Sequence, residues 1–89
     1  MNRRSKVDII NEMLLAIENK NGRIKPTHLM YKANLSYKLL KEYTDELITK
    51  GMIEKKDEKD KSFFEITKKG REFIYQFRKM IEFKNTFGI

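Results

Sequence analysis

Few side chains in this 89-residue chain are suited to covalent chemistry. Cysteine is absent and His28 is the single histidine, so neither a thiolate–imidazole pair nor a Cys/His metal site can be assembled. There is no Gly-rich phosphate loop and no nucleophile–histidine–acid set. The paired carboxylates lie in charged stretches, where a raised pKa is not expected. No enzymatic activity, metal or cofactor is therefore expected. The chemistry the residues do offer is recognition of a polyanion. Ser36, Tyr37, Lys38 and Lys41 lie on the first turns of a helical stretch, away from Leu40, Tyr43 and Leu47. Ser and Tyr can meet phosphates or base edges, and Lys can meet phosphate or guanine. Thr27 and Lys32 precede them on a shorter helical stretch, Lys59 and Lys61 follow near a polar tip, and Arg3 and Arg4 form a basic N-terminal arm. For each of these the alternative is an ordinary solvated surface.

The charge balance supports a polyanionic partner. The net charge is +7, which favours association with nucleic acid. Its distribution is uneven. Residues 1–6 carry +3, residues 7–19 carry −3, residues 20–32 carry +4, residues 33–66 carry −1 and residues 67–89 carry +4. Near the tip, four lysines at 55, 56, 59 and 61 face four acids at 54, 57, 58 and 60, so strong electrostatic clamping is not expected there. Hydrophobic residues at 39% beside charged residues at 37% indicate a folded, water-facing chain. No apolar run approaches the roughly 18 residues that would span a bilayer, and residues 1–6 lead into no signal-peptide core. A cytoplasmic, nucleoid-associated location is expected, with no membrane partner and no small-molecule ligand evident.

The elements that must position these residues follow from periodicity. Ile9, Ile10, Met13, Leu14 and Ile17 recur at helical spacing, predicting a helix over about 7–19 with Ser5 or Asn2 as its cap. Asn19-Lys20-Asn21-Gly22 stops it, and Arg23-Ile24-Lys25 suits a short edge strand. Pro26 opens a second helix, where its missing N–H has no partner to lose. Ala33-Asn34-Leu35 is a tight turn, with Asn34 able to adopt a left-handed backbone. Ser36 caps a third helix, which ends at Lys50-Gly51. Helix, three-residue turn and helix make a helix-turn-helix, whose second helix can enter a major groove. Residues 52–56 and 61–66 alternate in polarity and predict a hairpin around a tip at 57–60, with Phe64 and Ile66 on one face. Thr67 caps a last helix reaching about Lys84, with Gly70 placed for close packing and residues 85–89 expected to fray. Tyr31 is expected in the core.

This is the element order of a winged helix, α+β but mainly α. Residues 1–66 form the winged helix-turn-helix, including the basic arm 1–6, and residues 67–89 form a C-terminal helix of the same domain. The run Met30-Tyr31-Lys32-Ala33-Asn34-Leu35-Ser36-Tyr37, with Leu40, Tyr43, Leu47 and Gly51-Met52-Ile53 after it, resembles the archaeal winged-helix DNA-binding proteins of the Sso-ten-a type. Ile66-Thr67-Lys68-Lys69-Gly70-Arg71 is similar to the start of that family's final helix. The likeness spans about residues 7–83. It implies duplex DNA as the partner and a homodimer, with the last helices paired in an antiparallel coiled coil.

The residues give their own argument for a dimer. Phe73, Phe77, Met80 and Phe87 follow a 4–3–7 spacing that fits a heptad seam, and Ile74 and Ile81 widen it. A single small core cannot cover aromatics out to Phe83 and Phe87. The interface is expected on Phe73, Ile74, Phe77, Met80 and Ile81. The expected function is a transcription regulator or chromatin-associated protein binding duplex DNA. The alternative is a winged helix serving protein–protein assembly. RNA binding is weaker still, since no sheet carries an aromatic stacking platform.

Overall fold

The computed structural model describes residues 4–89. The elements run α1 (Lys6–Glu18), β1 (Arg23–Ile24), α2 (Pro26–Lys32), α3 (Tyr37–Thr49), β2 (Ile53–Glu58), β3 (Lys61–Ile66) and α4 (Lys68–Phe87). The three strands form one antiparallel sheet in the order β1-β3-β2.

Three of the four helices begin where a side chain satisfies a free backbone N–H, and α2 begins instead at Pro26, which has no N–H to leave unpaired. At α1 the Ser5 hydroxyl accepts from the Asp8 N–H at 3.1 Å, and the Asp8 carboxylate accepts from the Ser5 N–H at 3.1 Å, a reciprocal capping box. Ser36 caps α3 by accepting from Leu39, and Thr67 caps α4 by accepting from Gly70. Asn34 lies between α2 and α3 with φ of 53°, the left-handed turn that lets two helices meet at a sharp angle. Gly51, with φ of 75°, follows the end of α3 and turns the chain into β2.

Ile9, Ile10, Met13, Leu14 and Ile17 of α1 form the centre of the core. Leu29 of α2, Leu40 and Leu47 of α3, Ile24, Ile53, Phe64 and Ile66 of the sheet, and Ile74 of α4 close around them. A fully buried aliphatic side chain contributes roughly 1.5–3 kcal/mol, so this apolar set is what holds the small domain together. Thr44 is buried among them and donates its hydroxyl proton to the Leu40 carbonyl at 2.8 Å, which satisfies it without a partner element.

Three details differ from the sequence reading. The hairpin tip is two residues, Lys59-Asp60, not four, and both have positive φ. That is the twist a two-residue hairpin requires, and it lengthens β2 to Glu58. The last helix does not stop near Lys84. It continues to Phe87, where Gly88 at φ 70° closes it. Tyr31 is 71% exposed, not core, because Leu29 and Ala33 already occupy the inner side of α2.

The last helix lies antiparallel to α1. Arg71 at its start bonds Glu18 at the end of α1 at 2.7 Å. Gly70 lets the start of α4 sit close on the sheet, since a Cβ there would strike the Met52 carbonyl oxygen and the Ile66 side chain.

Candidate nucleic-acid interface

Register decides what the recognition face contains. Directly opposed residues of an antiparallel pair share a face. Ile53↔Ile66, Lys55↔Phe64 and Asp57↔Ser62 therefore line one face of the hairpin. Along it the surface grades from core, through Lys55, to the polar tip. That face turns toward α3, and between them runs a cleft of about 240 Å³ lined by Tyr37, Lys41, Asp45, Lys55, Ser62 and Pro26, among others. The structure thus brings Tyr37 and Lys41 together with the start of α2 and with the inner face of the hairpin. Lys55 and Ser62 were not singled out in the sequence. Their signal was the pairing of Lys55 with Phe64, which becomes readable once the two-residue tip fixes the register.

Ser36, Tyr37 and Lys38 are exposed on the first turn of α3, with Tyr37 at 72%. Lys41 is exposed but its ammonium lies 3.1 Å from Asp45 one turn on. Lys38 has no carboxylate within ion-pair distance among the described residues, so it is the less encumbered cation of the pair. Thr27 is exposed on the first turn of α2, and Lys32 is exposed on its last. Lys59 sits at the tip. Lys61 lies on the hairpin's other face, together with Arg23 and Phe63 around a shallow groove. Hence Lys61 does not converge with Tyr37 and Lys41.

Of the three acids of α3, Asp45 and Glu46 are committed within the chain and Glu42 is exposed. Glu46 bridges Lys6 of α1 and Lys50 at its own helix end, each at 2.9 Å. Lys6 first and Lys50 next hold the Glu46 carboxyl below its ordinary value. On the outer sheet face Arg23 chelates Glu58 at 2.9 Å and also bonds Glu65. It lies 5.0 Å over the Phe63 ring. His28 lines the neighbouring groove with Lys20, Lys25 and Phe63. No cluster of metal-ligating side chains occurs among the described residues.

Two expectations need correction. Arg4 is not a free arm. Its guanidinium donates to the Ala33 carbonyl at 2.6 Å and the Asn34 carbonyl at 3.0 Å, and it meets Glu12 at 2.7 Å. All three partners lie within the chain, so Arg4 is engaged at the helix-turn-helix turn. Arg3, the other arm residue, and Asn2, the alternative cap, lie outside the described residues. Ile74, placed on the outer seam of the last helix, is 8% exposed. It packs into the chain's own core, because α4 lies on α1. Phe73 and Phe77 are half-buried, and Phe77 lines a cleft with Asn11, Leu15 and Ile81. The openly apolar part of α4 lies further along: Met80, Ile81, Phe83 and Phe87 are 36–66% exposed.

A turn-linked helix pair, an exposed second helix and a two-stranded wing beside it define a winged-helix domain of the kind that reads duplex DNA. The chain belongs to the winged helix-turn-helix family, whose profile matches residues 3–85. It is 34% identical over 84 residues to an uncharacterised protein of Methanocaldococcus jannaschii, covering 94% of this chain and 80% of that one. Among solved structures it is similar to Sso10a-2, a DNA-binding protein from Sulfolobus solfataricus. That match has a TM-score of 0.81 and 25% identity, covering 94% of this chain and 85% of that one. The fold is shared with F93 from STIV, a winged-helix DNA-binding protein, at a TM-score of 0.76 and 14% identity over 90% of this chain and 92% of that one. The resemblance to the Sso-ten-a type read from residues 30–53 and 66–71 therefore stands. No helix among the described residues is long and apolar enough to cross a membrane.

Proposed function

We propose that this chain binds duplex DNA as a homodimer and acts as a transcription regulator or chromatin-associated protein in the nucleoid, a binding role without catalysis. The observation that carries the proposal is the exposed first turn of α3, where Tyr37 and Lys38 stand beside the wing-side cleft containing Lys41 and Lys55. The start of α3 enters the major groove, and the wing tip with Lys59 follows the flanking backbone. Two of the three acids of α3 are occupied, Asp45 by Lys41 and Glu46 by Lys6 and Lys50, while Glu42 stays exposed. The exposed apolar end of α4 is the surface on which two copies meet, and dimerisation doubles the phosphate contacts.

A gel-shift titration of random and library duplexes at several salt concentrations tests this. If the dimer neutralises about six phosphates, log Kd against log salt should have a slope near 5 in magnitude. No shift of any duplex below about 100 µM protein at 50 mM salt, weaker than nonspecific binding ordinarily is, would sink the DNA reading in favour of protein–protein assembly.

A further inference from the structure

We propose that Arg4 is a positioning residue that fixes the angle of α3 by locking the helix-turn-helix turn onto α1. The inference rests on the DNA-binding reading above and names a residue on which that binding depends without touching DNA.

The geometry is a fork on two successive carbonyls. The last carbonyls of a helix lack intrahelical partners. Arg4 donates to two oxygens just past the end of α2, on Ala33 and Asn34. Ala33 is almost fully buried and Asn34 holds the left-handed φ that sends the chain into α3. The turn's own bonds, Asn34 N–H to Tyr31 at 3.2 Å and Leu35 N–H to Met30 at 3.0 Å, lie alongside. Glu12, two turns into α1, accepts from the same Nη1 that donates to Ala33 and ties the guanidinium to α1. The residue after Arg4 is Ser5, the cap of α1, so the fork is anchored at its root by a rigid helix start. Two residues on, Lys6 reaches Glu46 in the second half of α3. The beginning of α1 therefore grips both the turn before α3 and the body of α3. A planar guanidinium suits this task, whereas an ammonium cannot span the same acceptors in one plane.

The experiment compares wild type, Arg4→Gln and Arg4→Lys in salt-dependent duplex titrations, at a temperature where circular dichroism shows all three folded. Positioning predicts that both variants bind about tenfold more weakly, the loss expected for charged hydrogen bonds, with an unchanged salt slope. A phosphate-binding arm predicts the opposite pattern. In that case Arg4→Gln would lower the slope by about 0.9 per chain and Arg4→Lys would bind like wild type; that result overturns the proposal, as does unaltered affinity in both variants. Amide exchange at Asn34 and Leu35, measured without DNA, tests the lock independently. Faster exchange there in Arg4→Gln, with the Leu40–Leu47 amides unchanged, supports it, and identical exchange overturns it. A wild-type chain that shifts no duplex would instead mark failure of the DNA reading.

Discussion

Lys38 and Lys41 are one turn apart on α3, yet their surroundings make them unequal. The Lys41 ammonium is shared with Asp45, while Lys38 has no such competitor among the described residues. Replacing Lys38 by alanine should weaken binding to all duplexes alike and lower the salt slope by about 0.9 per chain. Lys41→Ala should do less, because a cation already neighbouring a carboxylate displaces fewer counterions. Equal effects in parallel titrations would show that the Asp45 contact opens on binding. A second residue-scale consequence concerns acid. The carboxyl of Glu46 titrates below its ordinary value when folded, because Lys6 and then Lys50 donate to it. Its contribution is thus fully present above its unfolded pKa and is lost as pH falls through the folded one. Urea unfolding should therefore find Glu46→Gln less stable than wild type at about pH 7, and the difference should shrink by about pH 3. A constant difference across that range would remove the charge from the explanation.

At the scale of elements, the contact between α4 and the sheet depends on one missing methyl group. Gly70 is buried in the first turn of α4, against the backbone of Met52 and the side chain of Ile66. Alanine is the better helix former, so on an isolated helix the change would stabilise. Here the overlap is with backbone, which cannot rotate aside. Gly70→Ala should cost about 1–3 kcal/mol, the usual penalty of overpacking, read as a lower urea midpoint. A gain in stability would mean that α4 shifts freely on the sheet. The hairpin shows a related conflict, since Lys59 and Asp60 adopt positive φ without being glycine or asparagine. Pairing along the two six-residue strands outweighs that local preference.

For the whole molecule, the end of α4 presents Met80, Ile81, Phe83 and Phe87 exposed together. The Phe83 and Phe87 rings meet tilted at 48°, their centroids 4.9 Å apart, and both remain more than half exposed. Because neither belongs to the monomer core, Phe83→Glu should leave the fold intact while placing a carboxylate in each half of the proposed interface. Phe77 is a poorer probe, as it lines the intrachain cleft between α1 and α4. Sedimentation equilibrium should give twice the 10.7 kDa chain mass for wild type and the single-chain mass for Phe83→Glu. A wild-type protein that is monomeric at about 100 µM, a concentration at which even weak interfaces assemble, would abandon the dimer and halve the expected phosphate count.

The sequence alone determined the order of the elements and where the helices begin, though not that the last one runs on to Phe87. Those features are local: the 3.6-residue recurrence of Ile9 to Ile17, the hydroxyls of Ser5, Ser36 and Thr67, and the left-handed tolerance of Asn34 and Gly51 act within a few residues. The exposed start of α3 was legible for the same reason, since Leu40 and Leu47 dictate which side faces inward. Tertiary structure decided what depends on a distant neighbour. Arg4 reads as a free cation until the Ala33 and Asn34 carbonyls, 29 and 30 residues away, are folded against it. Ile74 and Phe83 are equally apolar in sequence, and α1 covers the first but not the second. Lys55 joins the cleft through its strand partner, and Lys61 is turned from it by the same register. Periodicity carries the pattern of a face, whereas the group that meets that face is supplied by chain folded from far away.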